Sequence, residues 1–167
     1  MKSLATLLNT IPQVGTLCWI GLRTERQGPI NIVAEAELVA DRGLKGDRRF
    51  TGRPGVKRQV TLIQSEHLPA VASLLHRTEI PPELLRRNLV VSGVNLLALK
   101  GRRFSIGDSL LEFSGPCEPC SKMEIALGPG GFNAMRGHGG ITAMVLRGGI
   151  IRLGDAVQVI PQNEPQD

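Results

Sequence analysis

Short runs rich in Val, Ile and Leu recur along the chain, each closed by a Gly-Asp, Gly-Pro or Arg-Gly step. Runs of this length between turn residues suit the strands of an antiparallel barrel or sandwich. The expected strands are 14–21, 32–39, 59–64, 88–92, 109–113, 141–146 and 156–160, and the expected fold class is mainly β, a β-rich α+β architecture with a few short flanking helices. Two passages echo each other: Phe104-Ser-Ile-Gly-Asp108 leads into one run, and Ile151-Arg-Leu-Gly-Asp155 into another. Gly takes the unusual backbone angle and Asp bonds its own turn amides, so both read as tight turns entering strands.

Helical signals are few. Leu68, Val71, Ala72 and Leu75 form an apolar stripe behind a Ser65 cap, with Pro69 late for a first-turn proline. Pro81-Pro82-Glu83 offers a proline start and an early acid for a second helix ending near Arg87. A third short pattern follows Cys120 and stops at Gly128-Pro129. With 167 residues the chain suits one domain, expected over 1–160, with a polar, frayed tail over 161–167.

The formal net charge is +5, and the cations fall in groups: Lys45, Arg48, Arg49, Arg53, Lys57 and Arg58; Arg86 and Arg87; Lys100, Arg102 and Arg103. Such grouping favours anionic partners. Nucleic acid is not expected, because four Phe, one Trp and no Tyr leave almost nothing for bases to stack on. A small phosphorylated ligand fits better. No stretch approaches the roughly 20 apolar residues that span a bilayer, and Asn9, Thr10, Pro12 and Gln13 interrupt any leader-like N-terminal run. Three cysteines, Cys18, Cys117 and Cys120, are too few for a disulfide framework, so a reducing, cytoplasmic setting is expected.

Chemistry concentrates in Gly115-Pro-Cys-Glu-Pro-Cys-Ser-Lys-Met-Glu. Cys120 is placed in the first turn of a short helix, where free N–H groups, partial positive charge and nearby Lys122 favour a readily ionised, nucleophilic sulfur. Three other readings stand beside it. Cys117 and Cys120 could form a metal-free dithiol redox pair, although such motifs usually sit in a βαβ setting. Zinc would need about four ligands, and Cys18, His67, His76 and His138 show no paired spacing. The thiols could also be plain buried packing, as free Cys often is. Downstream, Arg136-Gly-His138-Gly-Gly140 follows Gly130-Gly131, so backbone amides there could approach an anion, with His138 as a proton donor. No Ser-His-Asp order, Walker loop or paired carboxylates stand out, and the 15 dispersed acids nominate no general base.

Laid out in order, these segments resemble the MOSC family, the domain at the C-terminus of molybdenum-cofactor sulfurases. The resemblance rests on Gly43-Leu-Lys-Gly-Asp47-Arg48, Gln59-Val-Thr-Leu-Ile63, Arg86-Arg-Asn88-Leu-Val90 with Gly93, Phe104 to Asp108, Pro119-Cys120 and the closing passage from Val145 to Val159, and so spans most of the chain from about Gly43. It implies a MOSC-type β-barrel associated with the molybdenum cofactor, a phosphorylated pterin dithiolene (molybdopterin). The family's cysteine after proline carries a persulfide or touches the metal, and Cys120 is the matching position. By analogy and charge, Lys45, Arg48, Arg86, Arg87 and Asn88 are the expected cofactor holders, with Arg136 and His138 from the glycine loop.

The chain departs from the pattern at Cys117, where relatives often carry Arg; this removes a guanidinium and adds a thiol that could resolve a mixed disulfide. A pyridoxal-phosphate desulfurase domain cannot fit within this length. The resemblance therefore implies a stand-alone member partnered by a cysteine desulfurase, a molybdoenzyme or an electron donor. Such proteins are similar to sulfur carriers (sulfurtransferases) or to molybdenum-dependent oxidoreductases that reduce N-hydroxylated bases and amidoximes. A third class, a non-catalytic module for anionic ligands, fits the charge equally well.

Overall fold

The computed structural model describes residues 1–162. Seven strands follow one another around a closed ring: β1 (Gly15–Arg23), β6 (Leu89–Ser92), β5 (Val60–Gln64), β9 (Ile141–Arg147), β8 (Ser109–Pro116), β7 (Arg103–Ile106) and β11 (Ala156–Val159). β11 pairs back onto β1 through Gly15 and Thr16, which leaves the ring without a free edge. β2 (Ile30–Val33) extends the far end of β1. A second small sheet joins β10 (Gly149–Arg152), β3 (Glu35–Val39) and β4 (Gly43–Leu44).

The barrel is mainly β and closed, in agreement with the expected class. All ring pairings are antiparallel except β5 with β6. Between those parallel strands the chain crosses over through α2 (His67–Leu74) and a 3-10 turn at Pro82–Leu85. Pro69 falls within the first turn of α2, where its missing N–H has no helical acceptor to lose. Glu66, not Ser65, holds the cap position, and it makes no side-chain cap bond.

Two apolar clusters explain this layout. Leu17, Ile20, Leu62, Leu89, Phe104, Leu111, Ile141 and Val157 fill the barrel. Ile63, Val71, Leu85, Val90, Met123, Leu127 and Met135 form a second cluster outside it, under α2, α3 (Ser121–Leu127) and α4 (Gly131–Met135). β5 therefore buries all five residues, since Leu62 faces the barrel cluster and Ile63 the helical one. Its two polar members, Thr61 and Gln64, are buried with their side chains hydrogen-bonded, to Asn88 Oδ1 and from the Leu96 N–H.

Several elements differ from the sequence reading. The run 32–39 is divided between β2 and β3, which belong to different sheets. The two echoed turns also part company: β7 pairs with β8 across Gly107, whereas β10 pairs with β3 rather than with β11. β4, β7, β10, α4 and an N-terminal α1 (Leu4–Asn9) went unread, being short or, for α1, wholly unburied. Of the expected tail, Gln162 donates from its side chain to the Gly101 carbonyl, while 163–167 lie outside the described residues.

The glycine loop after α4 is held by packing. Gly140 has φ +84, and a Cβ there would stand 1.9 Å from the Leu62 carbonyl oxygen; at Gly139 it would stand 2.1 Å from that of Cys117. Gly140→Ala is expected to destabilise the protein by about 1–3 kcal/mol or more through strain and overlap, read as a lower urea midpoint.

Candidate functional site

At one end of the barrel, β1, the Asp47–Arg58 segment, β5, the start of β6 and the beginning of α3 surround a cleft of about 690 Å³, part of it open to solvent. Seven cations line it: Arg23, Arg48, Arg49, Arg58, Arg86, Arg87 and Lys122. Asp47 is the single carboxylate in the lining, and Cys120 is the thiol.

Asp47 organises the floor. It is buried, and its Oδ1 accepts from the Arg49 backbone N–H at 3.0 Å, capping the 3-10 turn Arg48–Thr51. Its Oδ2 accepts from the Arg23 N–H and from Asn88 Nδ2, both at 3.0 Å. Asn88 is equally saturated: Nδ2 also reaches the Gly21 carbonyl, and Oδ1 accepts from both Thr61 N–H and Thr61 Oγ1. One carboxylate and one amide thus lock β1, β5, β6 and the arginine turn together. Asn88 lines the cleft as a brace, with its side-chain hydrogen-bonding capacity already spoken for.

Arg87 is buried and braces the opposite wall. Its Nε donates to the Gly139 carbonyl at 2.8 Å, Nη1 to Leu85 at 2.7 Å and Nη2 to Cys117 at 3.3 Å. Arg86, next to it, has left-handed backbone angles (φ 60, ψ 27) and sends Nη2 to the Arg26 carbonyl at 2.8 Å. A non-glycine residue in that region is uncommon, and its persistence at a cleft wall marks a place where position outweighs strain.

The charges are poorly compensated. Burial first, then like-charged neighbours (Arg86 for Arg23, Arg58 for Arg49), pushes the guanidinium pKa values of Arg23 and Arg49 down, and burial does the same to Arg87. Arg86 holds the Lys122 ammonium below the ordinary lysine range. Arginine stays protonated regardless, so the crowding is a standing cost that a bound anion relieves.

Cys120 is exposed and occupies the N-cap of α3, one residue before the helical turn in which the sequence reading placed it. It makes no side-chain cap bond, so its sulfur is not engaged with its own helix. Cys117 is buried, and Arg58 Nη2 donates to its Sγ at 3.5 Å. A guanidinium from a different segment therefore stands against the residue where relatives often carry Arg. Cys18 sits at the bulge in β1, between Leu17 and Trp19, with its thiol on Ser92 Oγ at 3.2 Å.

Of the residues singled out in sequence, Arg48, Arg86, Arg87, Asn88 and Cys120 come together in the cleft. Lys45, Arg136 and His138 do not line it. Lys45 is exposed and pairs with Glu37 at 2.9 Å on the outer sheet. Arg136 is exposed after α4. His138 packs edge-on against His67, ring centroids 5.1 Å apart, and its Nδ1 lies 3.1 Å from the Ala134 carbonyl. Burial, then the neighbouring His138, holds His67 below the ordinary imidazole range. The glycine loop offers carbonyls inward, to Arg87 and to the Cys117 N–H, rather than amides to an anion. Sequence reasoning missed Arg23, which no local pattern distinguishes. It grouped Arg49 and Arg58 with other cations without separating them from Arg53 and Lys57.

α3 is tied to α4 by Glu124. Its carboxylate accepts from the Phe132 and Gly130 N–H groups, both at 2.8 Å, and these bonds, Phe132 first, hold its pKa below the usual carboxylate range. A depressed folded value means the contribution is complete above the unfolded value of about 4.3 and lost as pH falls through the lower folded value. The Tm gap between wild type and Glu124→Gln is therefore expected to be full at pH 7 and to close on acidification below about pH 4.

A closed barrel that gathers arginines around a helix-start thiol defines a cysteine-bearing barrel protein with a cationic cleft. The MOSC domain family model matches residues 47–158, and the chain belongs to that family. Among solved structures it is similar to the YuaD protein from Bacillus subtilis, with a TM-score of 0.77 at 20% identity over 92% of this chain and 100% of that one. It is also similar to YiiM from Escherichia coli (TM-score 0.68, 19% identity, 88% of this chain and 70% of that one). YiiM from Geobacillus stearothermophilus gives a TM-score of 0.68 at 19% identity over 87% and 75% of the two chains. At these identities the likeness is one of fold. No curated protein matches the sequence. Among the described residues, no helix is long and apolar enough to cross a membrane.

Proposed function

We propose that this protein binds the molybdenum cofactor in the arginine-lined cleft and uses the Cys120 sulfur as its working atom. The observation that carries the reading is the coincidence of seven cations with an unengaged, exposed thiol around a single cleft. The donor set suits a phosphorylated pterin dithiolene. Its phosphate calls for guanidinium groups, and its metal takes a soft thiolate.

Arg48, Arg49 and Arg58, half-buried or exposed on the cleft wall, would hold the phosphate. Arg86 and Lys122 would flank the thiol. Arg87 and Asn88, whose donors are already engaged, contribute position and field. When bound, the cofactor supplies two-electron oxidation and reduction at its metal. The chain's own part is to neutralise the anion, present Cys120 and keep the cleft walls fixed through Asp47.

Sulfur carriage is a second use of the same atom, favoured by the exposure of Cys120. A Cys120 thiolate would attack the outer sulfur of a persulfide on a pyridoxal-phosphate cysteine desulfurase. The new S–S bond leaves the persulfide on Cys120 and releases the donor's thiolate. The buried Cys117, already beside Arg58, favours Cys120 acting alone over a dithiol pair.

Elemental analysis for molybdenum, pterin determination and mass spectrometry of the Cys120 peptide on freshly purified protein test the reading. Molybdenum with pterin, or a 32-dalton sulfur adduct of about one atom on Cys120, supports it. Protein that neither carries nor takes up cofactor, and bears no sulfur adduct, overturns it.

A further inference from the structure

A pair of imidazoles joins α2 to the glycine loop, and nothing in the proposed function uses it. His67 is the first residue of α2, and His138 lies in the loop after α4; both are half-buried, and their rings meet edge-on with centroids 5.1 Å apart. The Ala134 carbonyl can only accept, so His138 Nδ1, 3.1 Å away, is the ring nitrogen that carries the proton. The next two residues of the loop hold the cleft wall. Arg87 Nε donates to the Gly139 carbonyl at 2.8 Å, and the Cys117 N–H, at the end of β8, donates to the Gly140 carbonyl at 2.9 Å. Arg87 lines the cleft itself, and Cys117 leads by a short turn to Cys120.

The contact suits uncharged rings. His67 Nδ1 is one of four buried side-chain polar atoms without a hydrogen-bond partner among the described residues. An imidazolium carries a proton on both nitrogens, so charging His67 would bury an N–H that has no acceptor and no water. Its place at the start of α2, among free backbone N–H groups, adds to the cost. Neighbouring charges do not offset it. Glu66, at the α2 cap, is exposed and spends its Oε1 on the Gly93 N–H at 2.6 Å. Arg136 on the loop is itself a cation, and β5 and α4, which pack against α2, carry no titratable side chain. Burial first, then His138, holds His67 below the ordinary imidazole range, against smaller opposing pulls from Glu66 and the His138 backbone.

We infer that His67 and His138 form a pH-sensitive latch, closed while His67 is neutral and released when it gains a proton, which frees the glycine loop from Arg87 and from Cys117. A folded value below the unfolded value of about 6.5 means that the open form takes the proton first. The latch is therefore at full strength above about pH 6.5 and weakens as pH falls through the lower folded value. Acid would loosen the buried arginine wall, whatever the cleft takes, so the latch stands apart from the cofactor reading.

Amide hydrogen exchange on the full chain, followed by NMR from about pH 7.5 to about pH 5 and corrected for intrinsic rates, tests it. Protection of the Cys117 N–H is expected to fall about tenfold or more relative to the amides of β7 and β11, across the ring from β5. His67→Phe keeps a ring against His138 and cannot be charged, so the Cys117 profile is expected to become flat. His67→Gln, also uncharged, is expected to give the same flat profile and serves should the Phe variant not fold. Protection at Cys117 that does not change with pH in wild type, or that falls as steeply in a folded variant, overturns the latch. An equal loss at β7 and β11 overturns it too, since acid would then be unfolding the whole barrel.

Discussion

On the proposed function, Cys120→Ser is expected to abolish both sulfur carriage and thiolate ligation while leaving the fold intact or slightly more stable. The two halves of that expectation have separate physical causes. Cys120 is exposed and makes no cap bond to its helix, so little packing is lost when sulfur becomes oxygen. Serine is among the preferred N-cap residues, and its hydroxyl can accept from the free N–H groups of the first turn, worth about 0.5–2 kcal/mol over a non-capping residue. Oxygen, however, forms no persulfide and is a poor soft ligand. The checks are Tm, the 32-dalton sulfur adduct by mass spectrometry and molybdenum content. A variant with normal sulfur transfer or reductase turnover would remove Cys120 from the chemistry.

Asp47→Ala is expected to be the most damaging single change at the site, at about 3 kcal/mol or more, because each buried donor left without its acceptor costs about 1–3 kcal/mol. Three donors, the Arg23 and Arg49 N–H groups and Asn88 Nδ2, lose their acceptor at once. The surrounding cations also lose the only carboxylate among the cleft-lining residues. Against an ordinary total of about 5–15 kcal/mol, such a loss removes a large share of the stability. Chemical denaturation measures it. Added phosphate or pyrophosphate should recover part of the loss by binding the native cleft, with midpoint shifts that rise with anion concentration.

Much of the fold was readable before any coordinates, and for a definite reason. Strand segments such as Val60–Gln64 and Ile141–Arg147 are short runs rich in Val, Ile and Leu, so local pattern and tertiary role coincide. Reading failed where they did not coincide. Arg103–Ile106 runs directly into the Gly107-Asp108 turn and was taken as the approach to a strand, when it is itself a strand of the ring. The run 32–39 looks continuous, but its two halves serve different sheets, a division set by long-range partners.

The site followed the same division. Cys120 was legible because its surroundings are local: a proline before it, a short helix after it and Lys122 two residues on. The family resemblance added Arg48, Arg86, Arg87 and Asn88, all of which reach the cleft. Lys45 lies only three residues before Arg48, yet the chain turns between them and Lys45 pairs with Glu37 outside. His138 was drawn by its glycines, which exist to let the loop approach the Leu62 and Cys117 carbonyls.

By itself, then, the sequence determined the strand-rich class, the helix-start thiol, the surplus of positive charge and the family. Only the tertiary structure decided which cations share a cleft and which of them are braces with their donors already used. Charge and propensity are properties of residues and are written locally. Convergence is a property of barrel closure, which brings Arg23, Asp47, Asn88 and Cys120 from distant parts of the chain to one rim.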